Sequence, residues 1–200
     1  MVTRSTPTER HVTDFRRVEP IPDPPREHDM RQPEAIHHAY EALRPHFPKD
    51  TLVSGGGFLL FNAGEQGEFY PNILIAMGVR DPRAVMWRNG YVISEVGKPP
   101  DFVMEVASRS TGRLDYTMMR EGYARYGVRE YWRFDPSGGE WHDAPLAGDV
   151  LVDMGYVRVE IMSEPDGSHW GYSEVLGLEL WWVGGESSGW EGGDLRFRDP

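Results

Sequence analysis

The chain has 200 residues, no cysteine and a formal net charge of -11. That length suits one domain with its own core, and the missing thiols exclude disulfides and thiolate metal sites. The negative charge argues against generic attraction to phosphate backbones. No apolar run approaches a membrane span, and residues 1–10 lack the apolar core of a signal peptide. The expectation is a cytoplasmic protein with no membrane partner. Arginine supplies nearly all the positive charge, since the only lysines are Lys49 and Lys98.

Residues 1–25 are rich in proline, arginine and acids with little apolar periodicity, and read as an arm. Met30, Ile36, Tyr40, Leu43 and Phe47 recur at helical spacing, with Pro45 and Pro48 limiting the end. Gly55-Gly56-Gly57 then enters an apolar strand at Phe58–Phe61. The triplet lacks the Lys-Ser/Thr of a phosphate loop and reads as a turn. Gly64 to Gly67 suggests a hairpin connection into a buried strand over Tyr70–Met77, followed by a loop with a short hairpin over 81–97. Asp101–Val106 is the next strand. Arg113–Tyr126 has helical spacing closed by Gly127, a residue suited to the left-handed position past a helix end. Glu130–Phe134 is a strand ended by Asp135-Pro136. Tyr156–Met162, His169–Tyr172 and Leu178–Val183 alternate like antiparallel strands, and 184–200 reads as a Gly-rich extension. The domain is therefore expected over 26–183. Trp181 and Trp182 point to opposite faces of their strand, one toward the core.

Glu105 stands out because an apolar strand, Phe102-Val103-Met104, runs straight into it. A carboxylate in a buried strand needs a metal, a cation or a hydrogen-bond network. Three other features carry less. Glu34 and His38 lie four residues apart on a helix, a spacing that also suits a solvated face. Arg109, Arg113, Arg120 and Arg125 can make either a phosphate-facing edge or a solvated one. Asp115 near a helix start also suits the helix dipole.

The order Tyr70-Pro71-Asn72, Pro100-Asp101-Phe102-Val103-Met104-Glu105-Val106, Ser108-Arg109-Ser110-Thr111, Asp115, Tyr123, Gly127-Val128 and Glu130-Tyr131-Trp132 resembles the Uma-type restriction endonucleases. These belong to the PD-(D/E)XK nuclease superfamily. The likeness extends over about residues 30–183 and includes Ser173–Leu180. It implies an α/β fold, a restriction-endonuclease-like mixed sheet flanked by helices, with antiparallel C-terminal strands. It also implies Mg²⁺- or Mn²⁺-dependent hydrolysis of DNA, with an Asp on one strand and a Glu on the next holding the metal. A lysine on the following helix would orient water or offset charge.

Carried onto this chain, the Glu is Glu105, but the Asp position is Asn72 and the helix lysine position is Met119. Asp115 and Tyr123 match the family on the same helix face as Met119. The commoner lysine site, two residues after the Glu, is Ala107. Lys98 lies ~23 Å along an extended strand from Glu105, and Asp101 ~13 Å, too far to share one ion. Glu105, Asn72, Asp115, Met119 and Tyr123 are thus the candidate site. Glu105 and Asn72 are candidate metal ligands, and Arg109, Arg113 and Arg120 the candidate nucleic-acid contacts. With one carboxylate and no lysine, metal should bind weakly and cleavage should be weak or absent. Two alternatives stay open: an active nuclease whose cation comes from elsewhere, including a homodimer partner, and a non-catalytic interaction module.

Overall fold

The structure, a computed structural model, describes residues 31–65, 69–185 and 192–200. The predicted arm over 1–25, the tail of the Gly64–Gly67 connection and most of 184–193 lie outside the described residues. A helix, α1 (Arg31–Leu43), matches the periodic segment and ends in a 3-10 turn at Arg44–His46. Strands β1 (Leu52–Ser54), β2 (Phe58–Leu60), β3 (Ile73–Ala76), β4 (Gly90–Val92), β5 (Phe102–Val106) and β6 (Glu130–Phe134) follow. Strands β7 (Leu146–Val152), β8 (Gly155–Arg158), β9 (Met162–Ser163), β10 (His169–Ser173), β11 (Leu178–Val183) and β12 (Asp194–Arg198) complete the chain.

The main sheet is six-stranded and mixed, ordered β1-β3-β5-β6-β7-β8, with β5 and β6 its parallel pair. Parallel neighbours need a crossover. Here it is the helical segment that starts with α4 (Gly112–Leu114), passes through a π-helical turn at Asp115–Met119 and ends as α5 (Arg120–Tyr126). Gly127, at φ 79°, closes it in the left-handed conformation. Among the described residues no helix is long and apolar enough to cross a membrane.

Both faces of the central strands are covered, which is why every residue of β5 and β6 is buried. Phe102, Met104, Val106, Trp132 and Phe134 face a core shared with α1 and with Leu178, Leu180 and Leu195. Those three leucines come from a second, four-stranded antiparallel sheet ordered β12-β11-β10-β9. Val103 and Tyr131 face the other way, onto Tyr123, Phe69 and Leu74. One layer of the flanking structure is thus a helix, and the other combines α1 with a sheet.

Four segments depart from the sequence reading. Residues 81–97 form two short helices, α2 (Pro82–Trp87) and α3 (Ile93–Val96), around β4 rather than a hairpin. The Asp81 carboxylate accepts from the Ala84 N–H and Pro82 fills the first turn, an N-terminal signature that favours a helix. Strand β2 pairs in parallel with β4, while β1 pairs with β3, so the expected hairpin is reduced to a single antiparallel bridge between Leu59 and Phe69. Strand β7 has no counterpart in the sequence reading, because Gly148 and Asp149 interrupt its apolar run. The chain past 183 contributes β12, paired with β11 and burying Leu195.

Glu130 ties the two sheets together. Its carboxylate accepts from Ser173 Oγ at 2.5 Å, the Val175 N–H at 3.0 Å and Trp132 Nε1 at 3.0 Å. Glu130→Ala strands three buried donors, each costing about 1–3 kcal/mol when unsatisfied. Urea unfolding of this variant should show a loss of at least about 3 kcal/mol.

Candidate active site

Extending the antiparallel β3–β5 register one step past Ile73–Met104 sets Asn72 opposite Glu105. Glu105 sits on the helix-facing side of β5 and is only 4% exposed. Its Oε1 accepts from the Tyr123 hydroxyl at 2.5 Å, and its Oε2 from the Asn72 backbone N–H at 3.2 Å. No arginine pairs with Glu105 among the described residues, so its burial is met by a hydrogen-bond network. Asn72 turns its side-chain oxygen to the Val106 N–H at 2.7 Å, and Gln32 of α1 bonds the Val106 carbonyl at 2.9 Å.

The crossover helix brings the next two candidates. Ser108 opens it, its hydroxyl 2.7 Å from that of Thr111 and its carbonyl accepting the Gly112 N–H. Asp115 and Met119 bound the π-helical turn, a feature that often marks a functional site. Asp115 is buried, and its Oδ2 lies 2.7 Å from His142 Nε2. No hydrogen bond reaches its Oδ1 among the described residues. Asn72, Glu105, Asp115 and Met119 all line one cavity of about 770 Å³. Gln32, His37 and Tyr40 of α1, the Gly55–Gly57 turn, Tyr70 and Tyr91 are also among its lining. No lysine or arginine lines it among the described residues.

The candidate arginines lie elsewhere. Arg109 and Arg113 are exposed and outside the cavity lining. Arg120 turns to the sheet, donating to Asp149 Oδ1 through Nε and Nη2 at 3.1 and 2.8 Å and to the Tyr156 carbonyl at 2.9 Å. The Arg120 guanidinium is committed to this ion pair and not to a phosphate-facing edge. Lys98 is held by Asp101 and the Met77 carbonyl at the other end of β5. Of the two adjacent tryptophans, Trp182 packs inward and donates to the Asp135 carbonyl, while Trp181 stacks on Trp170 and under Arg198.

His142 escaped the sequence reading, as did the groups that hold it. The Asp135 carboxylate accepts from the N–H groups of Ser137, Gly139, Trp141 and His142 and from the Ser137 hydroxyl. This closes the loop after β6 and delivers His142 to Asp115. Gly112 permits the approach, because a Cβ there would fall 2.4 Å from the Trp141 carbonyl oxygen. The Asp-Pro-Ser-Gly run at 135–138 is a turn signature that marks the loop. Nothing in the sequence links His142 to Asp115 across 27 positions.

Electrostatics follow from burial. Desolvation, then repulsion from Asp115, raises the Glu105 carboxyl well above the usual carboxylate range. Desolvation pushes Asp115 up to about 8 against a smaller pull from Arg133, and pushes His142 down to about 4. A divalent metal between Asn72 and Glu105 would find one carboxylate and one neutral amide oxygen, a weaker donor set than two carboxylates. The Asn72 oxygen also accepts from the Val106 N–H, and both Glu105 oxygens accept hydrogen bonds. No group of three His, Asp or Glu side chains is arranged for a metal among the described residues.

These shifts fix a pH dependence. A raised acid stabilises the fold below its unfolded pKa, and that stability is lost as pH rises through the folded value. His142, lowered, opposes this only up to about pH 6.5, where the unfolded histidine loses its proton. Unfolding free energy should therefore fall from about pH 6.5 to about pH 8, by about 1.4 kcal/mol per unit for each acid still holding its proton. Urea titrations across that range should show the slope, and Asp115→Asn should flatten it.

The family model Uma2, "Putative restriction endonuclease", matches residues 17–182. A solved structure, a "putative nuclease belonging to DUF820" from Anabaena variabilis, aligns at 15% identity with a TM-score of 0.43. That alignment covers 74% of this chain and 72% of the other. A search of curated proteins gave no match. With the family model spanning most of its length, the chain belongs to the Uma2 family of restriction-endonuclease-like proteins.

Proposed function

We propose that this chain is a member of a DNA-cleaving family whose own phosphodiester hydrolysis is weak or absent, and that its retained cavity serves binding. The observation that carries the reading is the charge of that cavity. Two buried acids line it, and no lysine or arginine does so among the described residues. Phosphoryl transfer needs positive charge where the transition state gathers negative charge. Family membership implies divalent-metal dependence and DNA as the substrate class. In this chain the family's anionic ligand is Asn72, its oxygen bound to Val106 N–H, and the family's lysine is Met119.

The test is cleavage of plasmid and single-stranded DNA with Mg²⁺ or Mn²⁺. The wild-type protein should leave both largely intact. Metal-dependent cleavage that vanishes in Glu105→Ala would overturn the reading and restore an active nuclease whose cation comes from elsewhere. Asn72→Asp combined with Met119→Lys should restore cleavage by more than the sum of the single variants, because ligand and cation act on the same transition state. Mn²⁺ titration should already show tighter binding in Asn72→Asp alone, since a carboxylate is a charged hard ligand.

A further inference from the structure

The cavity is far larger than a metal ion and falls within the size range of small-molecule sites. Its floor holds Asp115, buried, with one carboxylate oxygen taken by His142 and the other without a hydrogen-bond partner among the described residues. Glu105 lies beside it, both oxygens engaged. The lining includes Tyr40, Tyr70 and Tyr91, a residue type whose ring attracts positive charge, together with His37 of α1. The sulfur-bearing side chain of Met119 lines the cavity where the family pattern puts an ammonium group. A buried carboxylate with a vacant acceptor, under aromatic walls and with no lysine or arginine in the lining, has the chemistry of a cation receptor.

We infer that the cavity binds a small organic cation, a primary ammonium or guanidinium carried on a flat apolar body, with Asp115 as its counter-ion. The positive head reaches the free Asp115 oxygen, and the apolar body lies among the tyrosines. Phosphate esters would set their negative charge against the Asp115 carboxylate, and neutral analogues lack the charge that it takes. This inference shares with the proposed function the loss of the lysine at Met119. It is read without DNA, so it and the cleavage result can fail separately.

Isothermal titration of the full chain with 2-phenylethylamine, 2-phenylethanol and phenyl phosphate tests it. The amine should bind at least about ten-fold more tightly than the alcohol, as a desolvated ion pair requires, and phenyl phosphate should not bind. Asp115→Asn should lose that ten-fold preference. Met119→Lys supplies an internal ammonium in place of the ligand's and should also abolish amine binding. It keeps the test decisive if Asp115→Asn does not fold. Equal affinity for amine and alcohol, tighter binding of phenyl phosphate, or undiminished amine binding by Met119→Lys would overturn the inference. So would displacement of the amine by micromolar Mn²⁺, which would make the acid pair a metal site.

Discussion

Glu105 places a carboxylate in a strand whose two faces are both covered, where an unsatisfied acid costs several kcal/mol. Donors from two directions meet that cost. The Tyr123 hydroxyl comes from the crossover helix, and the Asn72 N–H from the neighbouring strand. The arrangement fixes how the helix sits on the sheet, because Tyr123 must reach Glu105 from the same turns that carry Asp115 and Met119. It also fixes the start of β3 against the end of β5, where Asn72 bonds Val106 and Gln32 of α1 reaches the same backbone. Three elements distant in sequence are thereby drawn to one end of the sheet, and the cavity is the space left between them.

The same solution recurs on both sides of β6. Its alternation sends Glu130 toward the second sheet, where Ser173, Val175 and Trp132 satisfy it. Arg133 goes toward the helix side, where Asp149 holds it and the Tyr131 ring lies beneath it. Asp149 receives Arg120 as well, so one fully buried acid joins β6, β7 and the crossover helix. Beyond the strand, Asp135 gathers the loop that carries His142. Buried acids with their donors thus organise this molecule at least as much as its apolar core does. A missing donor at any of them would leave a charge that burial penalises.

That pair is where geometry and chemistry part. The order of strand, helix and strand brings Asn72, Glu105, Asp115 and Met119 to one cavity. Two buried acids line it, and among the described residues no lysine or arginine does. Hydrogen bonds from Tyr123 and Asn72 to Glu105, and the contact of Asp115 with His142, meet the burial of the two acids.

The sequence by itself determined the local pieces. Apolar runs ending in Glu105 and in Asp135-Pro136, helical spacing closed by Gly127, and the offsets among Asp115, Met119 and Tyr123 are all written within a few residues of one another. Periodicity and turn chemistry act at that range, so β5, the crossover helix and β6 were legible, whereas the facing of Asn72 and Glu105 was implied only by the family resemblance. What sequence could not supply was partnership across distance. His142 meets Asp115 only because Asp135 folds the intervening loop, and Arg120 turns from solvent only because β7 presents Asp149. The pairing of β1 with β3 and of β2 with β4, and the recruitment of β12 into the second sheet, also depend on which edges are free once the core has closed. Those choices are made by burial and by the satisfaction of buried charge, which exist only in the folded chain.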